Sequence, residues 1–168
     1  MMPRLLILAA FFLLSACAAK PCFTDEAVIQ VEGQEVSLEQ GLRWVVMSGR
    51  WYGSQATDDG GFREHLVERY PDGTYQIHFR VHAPDGEISD SIEVGRWGVS
   101  GKIYFTFFAG WMEDGRMVPA DPSDPFHYNA YIIESLRDGQ MTYVSEPHGN
   151  RYTIRRVDKQ FEMPGRPE

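Results

Sequence analysis

The chain carries five histidines (His65, His78, His82, His127 and His148) and 24 aspartate or glutamate side chains. These could build a metal site or an acid–base pair if their spacing allowed it. His78 and His82 share one face of a strand-like segment but stand four residues apart, roughly 13 Å at 3.3 Å per residue, too far to hold one ion. Joint ligation would need His65 or His127 from a neighbouring strand, so no metal site is expected. Glu64 and Glu68 also share a strand face, and cross-strand pairing with Arg80 or His78 is the expected role. Asp121-Pro122-Ser123-Asp124-Pro125 holds two carboxylates, fewer than a dedicated calcium loop uses, among turn formers, and is read as a loop. No glycine-rich phosphate loop, H-E-x-x-H or G-x-S-x-G is present. No residue is assigned a catalytic or metal-binding role, no cofactor is implied, and an enzyme is the least supported class of function.

The two cysteines, Cys17 and Cys22, carry a clearer message. Arg4 precedes an apolar run, Leu5 to Leu14, which is about half of the roughly 20 residues needed to span a bilayer. It is a signal h-region rather than an anchor. It leads into Leu14-Ser15-Ala16-Cys17, which resembles the bacterial lipobox. The resemblance implies that the Cys17 thiol becomes a diacylglyceryl thioether and, after cleavage, the acylated first residue. Ala16-Cys17-Ala18 also fits the A-x-A site of an ordinary secreted protein. One acyl chain, at about 0.8 kcal/mol per buried methylene, binds only marginally; the three that the resemblance implies would hold the protein permanently. Ala rather than Asp at position 18 implies, by the same resemblance, a lipid anchor in the outer membrane facing the periplasm. Cys22 then has no partner in its own chain, and is either an idle tether thiol or one half of a disulfide to another protein.

Removing residues 1–16 takes one positive charge, Arg4, from a 168-residue chain whose net charge is already −8. An acidic domain without a basic run argues against nucleic acid and against electrostatic adhesion to anionic lipid. The remaining length suits one domain with a real core. The expected division is a signal peptide 1–16, a lipidated tether 17–27, a barrel domain 28–160 and a flexible tail 161–168.

The elements follow from local pattern. Val28 to Val36 reads as a small hairpin around Gly33. Ser37-Leu38-Glu39-Gln40 matches a capping box, Leu38, Leu42 and Val45 follow at helical spacing, and Gly49 can end the helix. One short helix, Leu38 to Met47, is expected. Thereafter turn signals recur about every dozen residues: Asp58-Asp59-Gly60-Gly61, Pro71-Asp72-Gly73, Pro84-Asp85-Gly86, Ser100-Gly101, Asp138-Gly139 and His148-Gly149-Asn150. Glycine there supplies positive φ, proline presets φ, and Asp or Asn bonds its own backbone. A longer connection spans Glu113 to Pro125. Between these lie eight segments rich in β-branched and aromatic residues, several alternating with period two: Tyr75, Ile77, Phe79 and Val81 on one face; Ile103, Phe105, Phe107 and Ala109 on another. The fold expected is all-β, an eight-stranded antiparallel up-and-down barrel with one short N-terminal helix, since closure leaves no edge exposed. A two-sheet sandwich is the rival.

This pattern resembles the bacterial lipocalin-like (calycin) lipoproteins. Lipocalins open with a short helix, then a Gly-x-Trp motif on the first strand, and place a basic residue of the last strand across that tryptophan. Here the helix is followed by Gly49-Arg50-Trp51, and the last strand, Arg151 to Val157, offers Arg156, or Arg155 beside it. The resemblance implies that Trp51 and Arg156 close one end of the barrel. The aromatic segments nominate an apolar pocket of Tyr75, Phe79, Phe105, Phe107, Phe126 and Tyr128, with residues 113–125 over its mouth. Eight strands enclose an interior that side chains can fill or that can hold one small ligand. Two functions therefore stay open: a lipid-tethered protein binding a small apolar ligand, and an envelope interaction module (assembly factor or enzyme inhibitor) with a filled barrel.

Overall fold

The computed structural model describes residues 28–31 and 34–164, with side chains from Glu39 onward. The expected signal peptide 1–16 and tether 17–27, with Cys17 and Cys22, and residues 165–168 lie outside the described residues. A hairpin, β1 (Val28–Val31) and β2 (Gln34–Ser37), precedes helix α1 (Leu38–Met47). Eight antiparallel strands then form a ring: β3 (Gly49–Ala56), β4 (Phe62–Arg69), β5 (Thr74–His82), β6 (Ile88–Ser100), β7 (Ile103–Glu113), and, after an excursion, β9 (Tyr128–Arg137), β10 (Gln140–Ser145) and β11 (Arg151–Arg156). β11 pairs back onto β3, with Arg156 opposite Trp51, and closes the barrel. Every strand of the ring has two neighbours, which answers the edge problem that a sandwich would leave.

The turns are held by the chemistry their residues suggest. Asp72 Oδ1 accepts from the Thr74 amide at 2.9 Å and Asp85 Oδ1 from the Glu87 amide at 3.0 Å. In the candidate calcium loop, Asp121 Oδ1 accepts from the Ser123 amide at 2.8 Å and Asp124 Oδ1 from the Phe126 amide at 2.9 Å. Each carboxylate thus holds its own turn through Oδ1.

The connection 113–125 is not a plain loop. β7 runs on to Glu113, turns through Asp114 and Gly115, both at positive φ, and returns as β8 (Arg116–Pro119), a short strand outside the ring that pairs with the end of β7. A 3₁₀ turn, Pro125–His127, leads into β9.

α1 lies across one end of the barrel. Its buried contributions are Met47 and Trp44, the latter stacked on Trp97 with centroids 4.4 Å apart. Leu42 and Val45, whose spacing marked the helix, are 55% and 69% exposed. Gly49, at φ +96°, reverses the chain from helix to strand, a conformation L side chains resist. The core is the barrel interior beneath the helix: Met47, Trp51, Val67, Tyr75, Trp97, Val99, Tyr104, Ile133, Met141, Tyr143 and Ile154. Phe161, the first residue of the expected flexible tail, is docked on the outside of this wall. Its ring lies 4.9 Å from that of Tyr52, and its carbonyl accepts from Arg50 Nη2. The folded domain therefore extends past residue 160.

Candidate functional site

The closed end is built around Trp51, which is fully buried. A helix leaves its last carbonyls without intrahelical partners. Here Trp51 Nε1 donates to the Met47 carbonyl at 3.0 Å, and Arg156 Nη2 donates to the carbonyls of Val46 and, at 3.1 Å, Ser48. The Arg156 guanidinium lies 4.7 Å from the Trp51 ring centroid. A cation at a helix C-terminus also meets the negative end of the helix dipole. Arg155, one residue earlier, points to the other face and stacks on Tyr52 and Phe161 at 5.1 and 4.8 Å. The alternation of the last strand separates the two arginines completely.

Directly opposed residues of an antiparallel pair point to the same side, so the buried Trp51 orients everything around it. Val67 faces Trp51 across β3–β4, which puts Arg63, His65 and Arg69 on the inner face of β4. Val81, Phe79, Ile77 and Tyr75 face those four in turn from β5. Between these strands and the far wall lies a cavity of about 160 Å³, lined by Arg63, His65, Val67, Arg69, Ile77, Phe79, Tyr104, Thr106, Tyr131, Tyr143 and Tyr152. Two arginines and no carboxylate line it.

The lining is unusual in what it leaves unpaired. Arg69 is 1% exposed. Its Nε donates to the Tyr104 hydroxyl at 3.2 Å and its guanidinium stacks on that ring at 4.6 Å, yet its Nη1 has no partner. Arg63 Nε and His65 Nε2 are also buried without a partner, and among the described residues neither arginine makes an ion pair. Burial, reinforced by the two flanking arginines, lowers the His65 pKa from 6.5 to about 4, so its ring is neutral near pH 7. The imidazole has room only because its cross-strand partner is Gly53. A Cβ there would fall on the ring, within 2.7 Å of Nε2 and of the Ile154 side chain. The far wall is a cluster of four tyrosines, with Tyr104 and Tyr131 stacked at 5.2 Å and Tyr143 and Tyr152 stacked at 5.2 Å. Burial pushes the phenols of Tyr131 and Tyr143 well above their ordinary pKa, so both remain protonated.

The expected apolar pocket divides between the two sides of the wall. Tyr75 and Phe79 face inward, Tyr75 in the core and Phe79 on the cavity. Phe105, Phe107, Phe126 and Tyr128 do not line the cavity. On β7 the inner residues are Tyr104 and Thr106, so Phe105 and Phe107 lie outside, where the Phe107 ring packs at a tilt against Tyr128 with centroids 5.4 Å apart. Phe126, in the 3₁₀ turn, is 78% exposed. The correction has a simple cause. Thr106 opposes Trp97 and Tyr104 opposes Val99, and both of those β6 residues are buried in the core. The pocket is consequently cationic and phenolic where an apolar one was expected. Arg63, His65 and Arg69 were missed because the two faces of Phe62–Arg69 are both mixed. The register of Val67 with Trp51 was the signal that could have found them.

Glu64 and Glu68 also pair differently from expectation. Asp90 takes both His78, at 2.7 Å, and Arg80, at 2.9 Å. Glu68 faces Arg50 at 4.0 Å. Glu64, fully buried on the outer face of β4, accepts from the Tyr52 hydroxyl at 2.8 Å and bonds His82 Nε2 at 3.0 Å. Among the described residues no group of three or more metal-ligating side chains is placed to hold an ion, and no helix is long and apolar enough to cross a membrane.

A larger groove of about 290 Å³ lies between α1 and β9, lined by Leu42, Val46, Ile133 and Leu136 with charged residues at its rim. It is open to solvent and none of its lining atoms is a buried unpaired donor, so the barrel interior is the better candidate site.

No protein-family model matches the chain, and no curated protein matches it in sequence. Among solved structures it is similar to a lipocalin-like protein from Bacteroides uniformis, at 14% identity and a TM-score of 0.40, over 67% of this chain and 99% of that one. The chain's own strand pairing, eight antiparallel strands in a closed ring plugged by an N-terminal helix, defines a lipocalin-like barrel.

Proposed function

We propose that this protein is a lipid-anchored binding protein of the bacterial envelope that holds a small molecule inside its barrel. The observation that carries the reading is the interior cavity whose lining includes Arg63, His65 and Arg69, each with a buried nitrogen that has no partner among the described residues. Buried polar groups are nearly always paired, so three orphans around one cavity call for a partner from outside the chain. The anchor rests on the lipobox-like Leu14-Ser15-Ala16-Cys17 alone. Outer-membrane attachment facing the periplasm, through acyl chains on Cys17, is part of the proposal. Native mass spectrometry of the detergent-extracted chain tests the binding. It should show a small molecule that is lost from Thr106→Phe, a substitution that fills the cavity; a wild-type chain carrying no ligand and accepting none would count against it. Cys17→Ser should release the protein from the membrane fraction or stall its maturation.

A second reading, an envelope interaction module, has its own observation. Ile103, Phe107, Tyr128 and Ile132 are 39–49% exposed on adjoining strands β7 and β9, with Phe126 beside them. Contiguous exposed apolar surface of this kind marks interaction sites. A partner co-purifying stoichiometrically and released by Phe107→Ser would favour this reading.

A further inference from the structure

Resting on that reading of the interior, we propose that the ligand is a small monocarboxylate carrying at most one ring, its carboxylate paired by Arg69 and its apolar part set among the tyrosines.

Charge requires an anion. Arginine does not shed its proton in proteins, and a buried charge is costly unless paired. Arg69 is almost wholly buried, holds one neutral hydroxyl and leaves Nη1 free. Nothing within the described residues neutralises it. Such a group is tolerable when a bound counter-ion completes it, and guanidinium donors match carboxylate oxygens in geometry and strength.

The count of charges favours a monoanion. Arg63 and Arg69 bring two positive charges to the interior, and the neutral His65 adds none. Among the described residues Glu93, on the inner side of β6 opposite Ile77, interacts with Arg63; burial raises its pKa, while Arg63 and His127 act in the opposite direction. Glu93 acts on Arg63, so the charge left to offset is the single one on Arg69. The tyrosine hydroxyls, kept protonated by burial, can donate to the second carboxylate oxygen.

Size and lining set the rest. A cavity of about 160 Å³ is close to the roughly 150 Å³ that accommodates one benzene. About one ring can sit inside it, and a fatty acid or a polycyclic ligand would have to extend beyond it. Phe79, Ile77, Val67 and the stacked tyrosines offer ring faces and aliphatic surface, which an inorganic anion would leave unfilled.

The test is calorimetric titration of the full-length, detergent-purified protein with benzoate, its neutral analogue benzamide, and inorganic phosphate. Benzoate should bind once per chain; benzamide should be at least about tenfold weaker, since a hydrogen bond to a charged group exceeds a neutral one by that order, and phosphate should be about tenfold weaker or more because it leaves the apolar lining unfilled. Arg69→Met should weaken benzoate by about ten- to a hundredfold, and Arg69→Lys by less, because it keeps the charge. Arg63→Gln, at a less buried position, should weaken benzoate several-fold with an unchanged circular dichroism spectrum; it decides the matter if Arg69→Met does not fold. Equal binding of benzoate and benzamide overturns the anion inference while leaving a ligand-binding barrel. Phosphate binding as tightly as benzoate overturns it in favour of an inorganic anion. Unaltered benzoate affinity in Arg63→Gln and Arg69→Lys overturns the site. Failure of all three probes to bind overturns this inference alone; the binding-protein reading falls only if native mass spectrometry also shows no bound molecule.

Discussion

Strand β4 carries two buried polar clusters, one on each face, and they are opposites. On the outer face Glu64 is fully buried, with one carboxylate oxygen on Tyr52 and the other on His82. On the inner face Arg69 and His65 are nearly as buried, yet each keeps a nitrogen with no partner. Burial is the same; satisfaction is not. A completed network contributes to holding the wall together, because each of its members would be expensive to strand. An incomplete one costs stability in the empty protein, and such costs are tolerated where a ligand removes them. The difference between structure and site is thus written in hydrogen-bond bookkeeping rather than in residue type, since each cluster contains a histidine and a charged neighbour.

Substitutions can break this comparison, and the largest effect should come from the outer cluster. Glu64→Ala strands the Tyr52 hydroxyl and the His82 ring together, and should lower unfolding free energy by about 3–5 kcal/mol. Denaturant melts of the variant would show a lower midpoint; a loss below about 1 kcal/mol would mean that the cluster does not hold the wall.

The next effect belongs to pH. His65 has a folded pKa of about 4 against an unfolded value of 6.5. Above pH 6.5 the ring is neutral in both states and contributes no pH dependence. As pH falls from 6.5 to 4 the unfolded ring takes up a proton that the folded ring refuses, so stability drops by on the order of 3 kcal/mol across that window. Comparing melts of the wild type and His65→Gln isolates this slope from other titrations, and the variant should lack it. Arg63 and Arg69, which flank the ring, set the size of the effect together with burial.

Gly53→Ala should cost about 1–3 kcal/mol, the usual range for overpacking, because its Cβ would displace the His65 imidazole. The predicted loss should shrink in a His65→Ala background, a coupling that a double-mutant cycle measures. Smallest, and of opposite sign to the first, is Arg69→Met. Removing an unpaired buried charge in favour of an apolar side chain should leave the ligand-free protein unchanged or stabilise it by about 1 kcal/mol. A large loss on Arg69→Met would place the inner cluster in the same class as the outer one.

Much of the fold was legible because its signals are local. The capping pattern at Ser37-Leu38-Glu39-Gln40 and the reversal at Gly49 bracket a helix that runs Leu38–Met47. Glycine and aspartate mark turns through their own backbone chemistry, and the eight ring strands lie between those marks. The site was much less legible. Alternation divides a strand into two faces but does not say which faces inward, and on β7 it favours the wrong one. Ile103, Phe105 and Phe107 are more apolar than Tyr104 and Thr106, yet the second set lines the cavity. On β4 both faces carry charge, so polarity gives no direction at all.

What the amino-acid sequence determined by itself, then, is the succession of elements, the placement of the helix before Gly49-Arg50-Trp51, and the eight-strand count that makes closure the economical solution for backbone hydrogen bonds. Those rest on interactions between residues a few positions apart. Tertiary structure alone decided the sidedness of each strand, and with it the chemistry of the interior. Burying Trp51 under the helix set the inner face of β3. Cross-strand register carried that choice to Val67 and so to Arg63, His65 and Arg69, and from Trp97 to Thr106. A one-residue change of register would exchange the two faces of a strand, and register is a relation between segments that no single segment contains.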